Sequence, residues 1–239
     1  MRITNNIYVL SGSYFSAVED SAALGDVYGI RTPDGIVLID CGEPVTGPAI
    51  LNETLAYFDV YEPITHLIVT HAHHDHCGGA RQLQEDGVIV VVGEEDAAYC
   101  VNGGVWGFYS PFDKEQSYPA FQPDVAISGD QVREINGLPF EFIKIPGHTP
   151  GSMAIRVALD DKTAMFTGDA LQPDGMYLNN ITFGWQGDPY FNRQAVVSSM
   201  MKLMDYETDL VLPGHGKVCV RNGGKLLRRA AQEAFTIMR

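Results

Sequence analysis

The sequence predicts a mixed α/β (α+β) fold, with strands and helices interleaved along a single domain spanning residues 1–239. Three observations lead there. Short apolar runs rich in Val, Ile and Leu recur between turn signals, as buried strands do. Segments with apolar residues on one stripe separate them, as helices do. Several of the apolar runs end in a loop that carries a glycine-flanked histidine or aspartate.

Composition sets the bounds. Hydrophobic residues make up 45% and charged residues 19%, which suits a globular enzyme and argues against disorder. The formal net charge of −14 disfavours a nucleic-acid phosphate backbone as partner. No apolar run reaches membrane-spanning length. The start, Met1 to Asn6, is polar and does not read as a signal peptide. The four cysteines, Cys41, Cys77, Cys100 and Cys219, form no Cys-x-x-Cys pair, so a reduced, cytoplasmic protein is expected. The expected partner is a small-molecule substrate, with no nucleic acid and no membrane. A homo-oligomer is left open.

In chain order, strands are expected at Ile7–Leu10, Val27–Ile30 and Gly35–Ile39, the last two split by the turn Thr32-Pro33-Asp34-Gly35. Asp40 ends this meander. It serves either as the carboxylate behind a metal-bound histidine or as a simple strand cap. Thr46 to Phe58 reads as a helix with Thr46 as N-cap and Pro48 in its first turn. Ile64 to Thr70 is a buried strand, Ala80 to Glu85 a short helix, and Val88 to Val92 a strand covered on both faces. Glu94 to Cys100 is a further short helix. Residues 102 to 124 are irregular and rich in Gly, Pro and aromatics, and are expected to form a pocket wall that includes Trp106, Tyr118 and Phe121. Strands follow at Leu138–Ile145, Met153–Leu159, Thr163–Thr167 and Leu210–Leu212. A second aromatic loop, 171 to 192, holds Tyr177 and Trp185. Helices are expected at Asn192–Met204 and Gly224–Met238, the latter with Leu227, Ala230, Ala231, Ala234, Phe235 and Met238 on one side.

The stretch His71-Ala72-His73-His74-Asp75-His76 stands at the end of the 64–70 strand and holds four of the seven histidines. Imidazole and carboxylate are the ligand types that hold zinc and related divalent ions. His71 and His73 are two residues apart, so on extended backbone they face one way and can share an ion. Asp75 and His76 follow a turn and can serve a second. Cys77 reads as a small buried residue, His74 as facing solvent or an outer polar partner, and His66 as a core histidine. Later, His148, Asp169 and His215 each sit in a glycine-flanked loop after a strand.

This His-x-His-x-Asp-His stretch, with His148, Asp169 and His215 in order behind it, resembles the metallo-β-lactamase superfamily over nearly the whole chain. The resemblance implies a four-layer αββα sandwich with the metal site at one sandwich edge. It assigns His71, His73 and His148 to one metal and Asp75, His76 and His215 to another, with Asp169 bridging. The implied cofactor is a pair of divalent ions, zinc first, with iron or manganese as alternatives. The implied chemistry is hydrolytic: metal-bound hydroxide attacks a small ester, thioester or lactone, and Asp75 also carries protons as a catalytic residue. Trp106, Tyr177 and Trp185 are the candidate substrate-binding residues.

Subfamily marks narrow this only in part. The superfamily's true β-lactamases lack the bridging aspartate, so Asp169 argues against that activity. Glyoxalase II enzymes carry a helical C-terminal region, whereas here only Gly216 to Arg239 follows His215. Lactonases of similar length place a tyrosine shortly after the bridging Asp, where this chain has Leu171 and Gln172; Tyr177 is a candidate substitute. The alternatives are an iron-dependent persulfide dioxygenase-like enzyme, a phosphodiesterase of the same fold, and a non-catalytic binding protein, which the filled ligand set disfavours.

Overall fold

Each half of the chain builds its own sheet. The computed structural model describes residues 1–12, 25–44, 48–104, 117–173 and 180–238, which divide into two units, Met1–Ser128 and Gly129–Arg239.

Among the described residues, the first unit holds a six-stranded sheet in sequence order: β1 (Ile7–Ser11), β2 (Val27–Thr32), β3 (Gly35–Ile39), β4 (Ile64–Ile68), β5 (Ile89–Gly93) and β6 (Val125–Ile127). The first three run antiparallel, while β3 to β6 are parallel to one another. Parallel strands are normally covered on both faces, which explains the uninterrupted Gly-Ile-Val-Leu-Ile of β3, all of it buried. Helices α1 (Pro48–Tyr57), α2 (His74–Cys77), α3 (Ala80–Glu85) and α4 (Ala97–Val101) supply the connections. Leu51 and Leu55 of α1, with Ala80 and Leu83, join Leu38, Leu67, Val90 and Val92 in one apolar core. The expected N-cap Thr46 lies outside the described residues.

In the second unit the described residues form a five-stranded sheet in the order β13-β10-β9-β8-β7. Its strands are β7 (Gln131–Ile135), β8 (Leu138–Lys144), β9 (Met153–Leu159), β10 (Lys162–Gly168) and β13 (Leu210–Pro213), and β11 (Gln172–Pro173) pairs separately with β12 (Ile181–Thr182). β7 to β10 form an antiparallel meander, and β13 adds parallel to β10. Helices α5 (Arg193–Leu203) and α6 (Gly223–Ile237) pack their apolar stripes into this unit's core through Val196, Met200, Leu227, Ala230, Ala231 and Ala234. The Asn192 side chain caps α5 by accepting from the Ala195 N–H at 3.0 Å.

Several expectations change at residue level. β5 begins at Ile89, which is 41% exposed, whereas Val88 and Val90 to Val92 are buried as foreseen. His66 is half-buried at the open end of β4 rather than in the core, with Nδ1 3.0 Å from Thr65 Oγ1; burial lowers its pKa. Phe235 lies off the buried stripe of α6 at 45% exposure. The expected helix Glu94–Cys100 is a 3-10 turn, Glu94–Asp96, running into α4. Tyr118 and Phe121 belong to the first unit's core and not to a pocket wall. No helix among the described residues is long and apolar enough to cross a membrane.

Candidate metal centre

In both units the polar residues gather where strands of common direction end. In the first unit, Asp40 follows β3, Thr70 and His71 follow β4, and Asp96 follows β5, all at the C-terminal ends of parallel strands. This is the edge of an open α/β sheet where ligand sites form, because the connecting loops there are free to vary.

The histidine stretch turns just after β4. His73 keeps an extended backbone (φ −81°, ψ 153°) and α2 starts at His74, so Asp75 and His76 sit on a single helical turn. His71 Nε2 and His73 Nδ1 lie 3.1 Å apart. Two nitrogens bound to one tetrahedral zinc at ordinary Zn–N lengths would be about 3.3 Å apart, so this pair fits a common ion with little movement. Asp75 Oδ2 stands 3.4 Å from His76 Nε2, a second N/O pair of the kind that shares a cation. His74 faces away, with Glu43 3.7 Å and Asp75 3.6 Å from its ring, and 22% of its side chain exposed.

One buried carboxylate orients two of these rings. Asp40 Oδ2 accepts from His76 Nδ1 at 2.8 Å and from Thr70 Oγ1 at 2.8 Å, while Oδ1 accepts from the Thr70 N–H at 2.7 Å. Thr70 Oγ1 is also 3.1 Å from His71 Nδ1. Because the hydroxyl proton goes to Asp40, its lone pair receives the Nδ1–H of His71. Both imidazoles therefore hold their proton on Nδ1 and leave Nε2 as a lone pair, the tautomer a metal needs. Burial pushes the Asp40 pKa up, and its bonds to His76 and Thr70 pull the other way. Of the two roles open to Asp40 from sequence, the structure gives it the histidine partner.

In the second unit, His148 follows β8, Asp169 follows β10 and His215 follows β13, again all at one end of the sheet. Asp169 Oδ2 is 3.6 Å from His148 Nε2 and 3.5 Å from His215 Nε2, so one carboxylate oxygen faces two imidazole nitrogens. Gln172 Nε2 donates to the same oxygen at 3.1 Å, and Thr182 Oγ1 donates to Gln172 Oε1 at 3.3 Å. The loop carrying His148 is tied to α5: Gly147 O accepts from Asn192 N at 2.8 Å, and Pro146 O from Ser199 Oγ at 2.7 Å. Phe191 packs edge-on against the His148 ring at 6.5 Å between centroids. Gly184, at φ +55°, comes so close that a Cβ there would lie 2.3 Å from His148 Nδ1.

The structure thus brings His71, His73, Asp75 and His76 together in one unit and His148, Asp169 and His215 together in the other. Trp185 follows Gly184 directly and is 52% exposed, its indole over Gly187. Trp106 and Tyr177 lie outside the described residues. Thr70, Asp96, Gln172 and Gly184 carry roles that sequence reading did not assign. Thr70 had one faint signal, being a polar residue at the end of an apolar strand, while Asp96 stands third in an acidic run, Glu94-Glu95-Asp96, that singles out none of the three. Cys77 is buried as expected, beside buried Cys41 and Cys100.

Clustered imidazoles and carboxylates at strand ends, with the ring protons of His71 and His76 turned to Thr70 and Asp40, suit a metal ion, and the family and relatives make this a metal-dependent hydrolase. The chain belongs to the metallo-beta-lactamase superfamily, whose family model matches residues 22–215. It is 27% identical to the probable metallo-hydrolase YflN of Bacillus subtilis, over 87% of this chain and 88% of that protein. It is 28% identical to the hydroxyacylglutathione hydrolase GloC of Haemophilus influenzae, over 63% of this chain and 68% of that one. In structure it is similar to a Cronobacter sakazakii metallo-beta-lactamase, HARLDQ motif mutant S60, with TM-score 0.76, 18% identity, and 99% and 91% of the two chains covered. At that identity the likeness shows the fold alone, and it is the metallo-β-lactamase fold expected from the sequence.

Proposed function

We propose that this chain hydrolyses a small ester, thioester or lactone at a dinuclear metal centre. The observation that carries this reading is the shared carboxylate: Oδ2 of Asp169 faces both His148 Nε2 and His215 Nε2. An oxygen held between two imidazoles suits a ligand common to two ions. His71, His73 and His148 would hold one ion; Asp75, His76 and His215 the other; Asp169 would bridge. Zinc is the favoured metal, because imidazole nitrogens dominate the donor set and zinc takes them readily beside carboxylate oxygens.

When bound, divalent ions supply the Lewis acidity that activates water and polarises an acyl oxygen. The chain's own residues do the rest. Asp40 keeps the His76 and His71 tautomers fixed, the latter through Thr70. Asp75, with 11% of its side chain exposed, is placed to hold a water proton and pass it to the leaving group. Gln172 holds Asp169 Oδ2 and limits its rotation. Trp185, half-exposed, offers apolar surface to the acyl part of the substrate, and Trp106 and Tyr177 are kept as candidates for the same role from sequence.

The thioester reading draws support from the hydroxyacylglutathione hydrolases among the relatives. The net charge of −14 disfavours polyanionic substrates. A panel of ester, thioester, lactone and phosphodiester substrates with the zinc-loaded protein tests the proposal. Acyl compounds are expected to turn over and phosphodiesters to be poor; the reverse order would overturn it.

A further inference from the structure

Ala72 stands between His71 and His73, and the peptide on each side of it is held from outside the loop. Its N–H donates to Asp96 Oδ2 at 2.9 Å, and its C=O accepts from the Tyr118 hydroxyl at 3.1 Å. The first bond fixes the peptide plane joining His71 to Ala72; the second fixes the plane joining Ala72 to His73. A peptide is planar and carries the Cα atoms at both its ends. Pinning two consecutive planes therefore sets the Cα positions of both histidines.

The two holders come from distant parts of the first unit and are themselves anchored. Asp96 is fully buried and Tyr118 is 6% exposed, its ring packed in the core near Phe121. Asp96 is the last residue of the 3-10 turn Glu94–Asp96 that runs into α4, and from there its carboxylate reaches across to Ala72. Burying a carboxylate is costly, and that cost at this place goes with holding a loop that carries two metal-ligand candidates.

We propose that Asp96 and Tyr118 are positioning residues that clamp the Ala72 peptides and so aim His71 and His73 at a shared ion. This rests on the reading of His71 and His73 as ligands. Groups behind metal ligands typically contribute tenfold to a hundredfold in metal affinity. Tyr118→Phe removes the donor while keeping the ring in the core. Asp96→Ala removes the acceptor, and Asp96→Asn keeps an amide oxygen that can still accept from Ala72.

Zinc affinity by competition with a chromophoric chelator, and the visible spectrum of the cobalt(II)-substituted protein, test the clamp. The expected result is at least tenfold weaker zinc binding and an altered cobalt spectrum for Tyr118→Phe and Asp96→Ala, with Asp96→Asn recovering most of both. If Asp96→Ala does not fold, Tyr118→Phe and Asp96→Asn decide alone. Wild-type zinc affinity and an unaltered cobalt spectrum in Tyr118→Phe, whatever the change in melting temperature, would overturn the clamp. A wild-type protein that binds no zinc would overturn the ligand reading and the clamp together.

Discussion

Asp40 Oδ2 lies 2.8 Å from His76 Nδ1 with both side chains buried, and the same oxygen accepts the Thr70 hydroxyl that touches His71. One carboxylate thus governs two rings. Asp40 sits at φ +59°, a conformation asparagine also tolerates. Asp40→Asn should therefore change the hydrogen bonding without new backbone strain. Zinc binding by chelator competition is expected to weaken tenfold to a hundredfold. Unchanged affinity would remove Asp40 from the support of the centre.

Asp75 is the one carboxylate within the histidine stretch and pairs with His76 Nε2 at 3.4 Å. Asp75→Asn is expected to lower turnover of the best substrate by more than tenfold, in keeping with general acid–base contributions, while circular dichroism stays native. A rate equal to wild type would exclude a proton-carrying role.

Gly184 and Gly187 give a matched pair of substitutions. Gly184→Ala must place a methyl group against His148 Nδ1 at positive φ, a backbone cost of about 1–2 kcal/mol before any shift of the ring. Lower thermal stability and reduced metal content are expected together. Gly187→Ala instead presses on the Trp185 indole, which is half-exposed and can move aside. Metal content by elemental analysis should fall in the first variant and stay in the second.

Trp185 tests the apolar pocket. Trp185→Ala should raise KM several-fold with metal content and kcat little changed, since the half-exposed indole is not itself a ligand candidate. Trp106→Ala is expected to act in the same direction. Steady-state kinetics on an acyl substrate with an apolar portion decide this. A loss of kcat at constant KM would speak against a binding role.

Part of the fold was legible because strands such as Gly35–Ile39 are buried on both faces and read as apolar runs, while others such as Met153–Leu159 are mostly buried. Gly35–Ile39 and Met153–Leu159 emerge with the expected bounds. The candidate donors were legible because the His71–His76 stretch packs imidazoles and a carboxylate at metal-ligand spacing, and the family resemblance points to His148, Asp169 and His215 behind it. What the sequence hid was long-range pairing. Nothing local ties Asp96 to Ala72 or Gln172 to Asp169, and Tyr118 reads like any loop aromatic until the core closes around it. Asp40 had two equal readings until the His76 ring was seen against it. His66 misled because its strand is covered only in its second half.

The most direct test of the account is elemental analysis of the protein purified without chelator. Close to two divalent ions per chain, mainly zinc, is the predicted result, with binding reduced in His71→Ala and His215→Ala variants. A single iron per chain with no second site on zinc titration, or no metal at all, would contradict the dinuclear hydrolase reading.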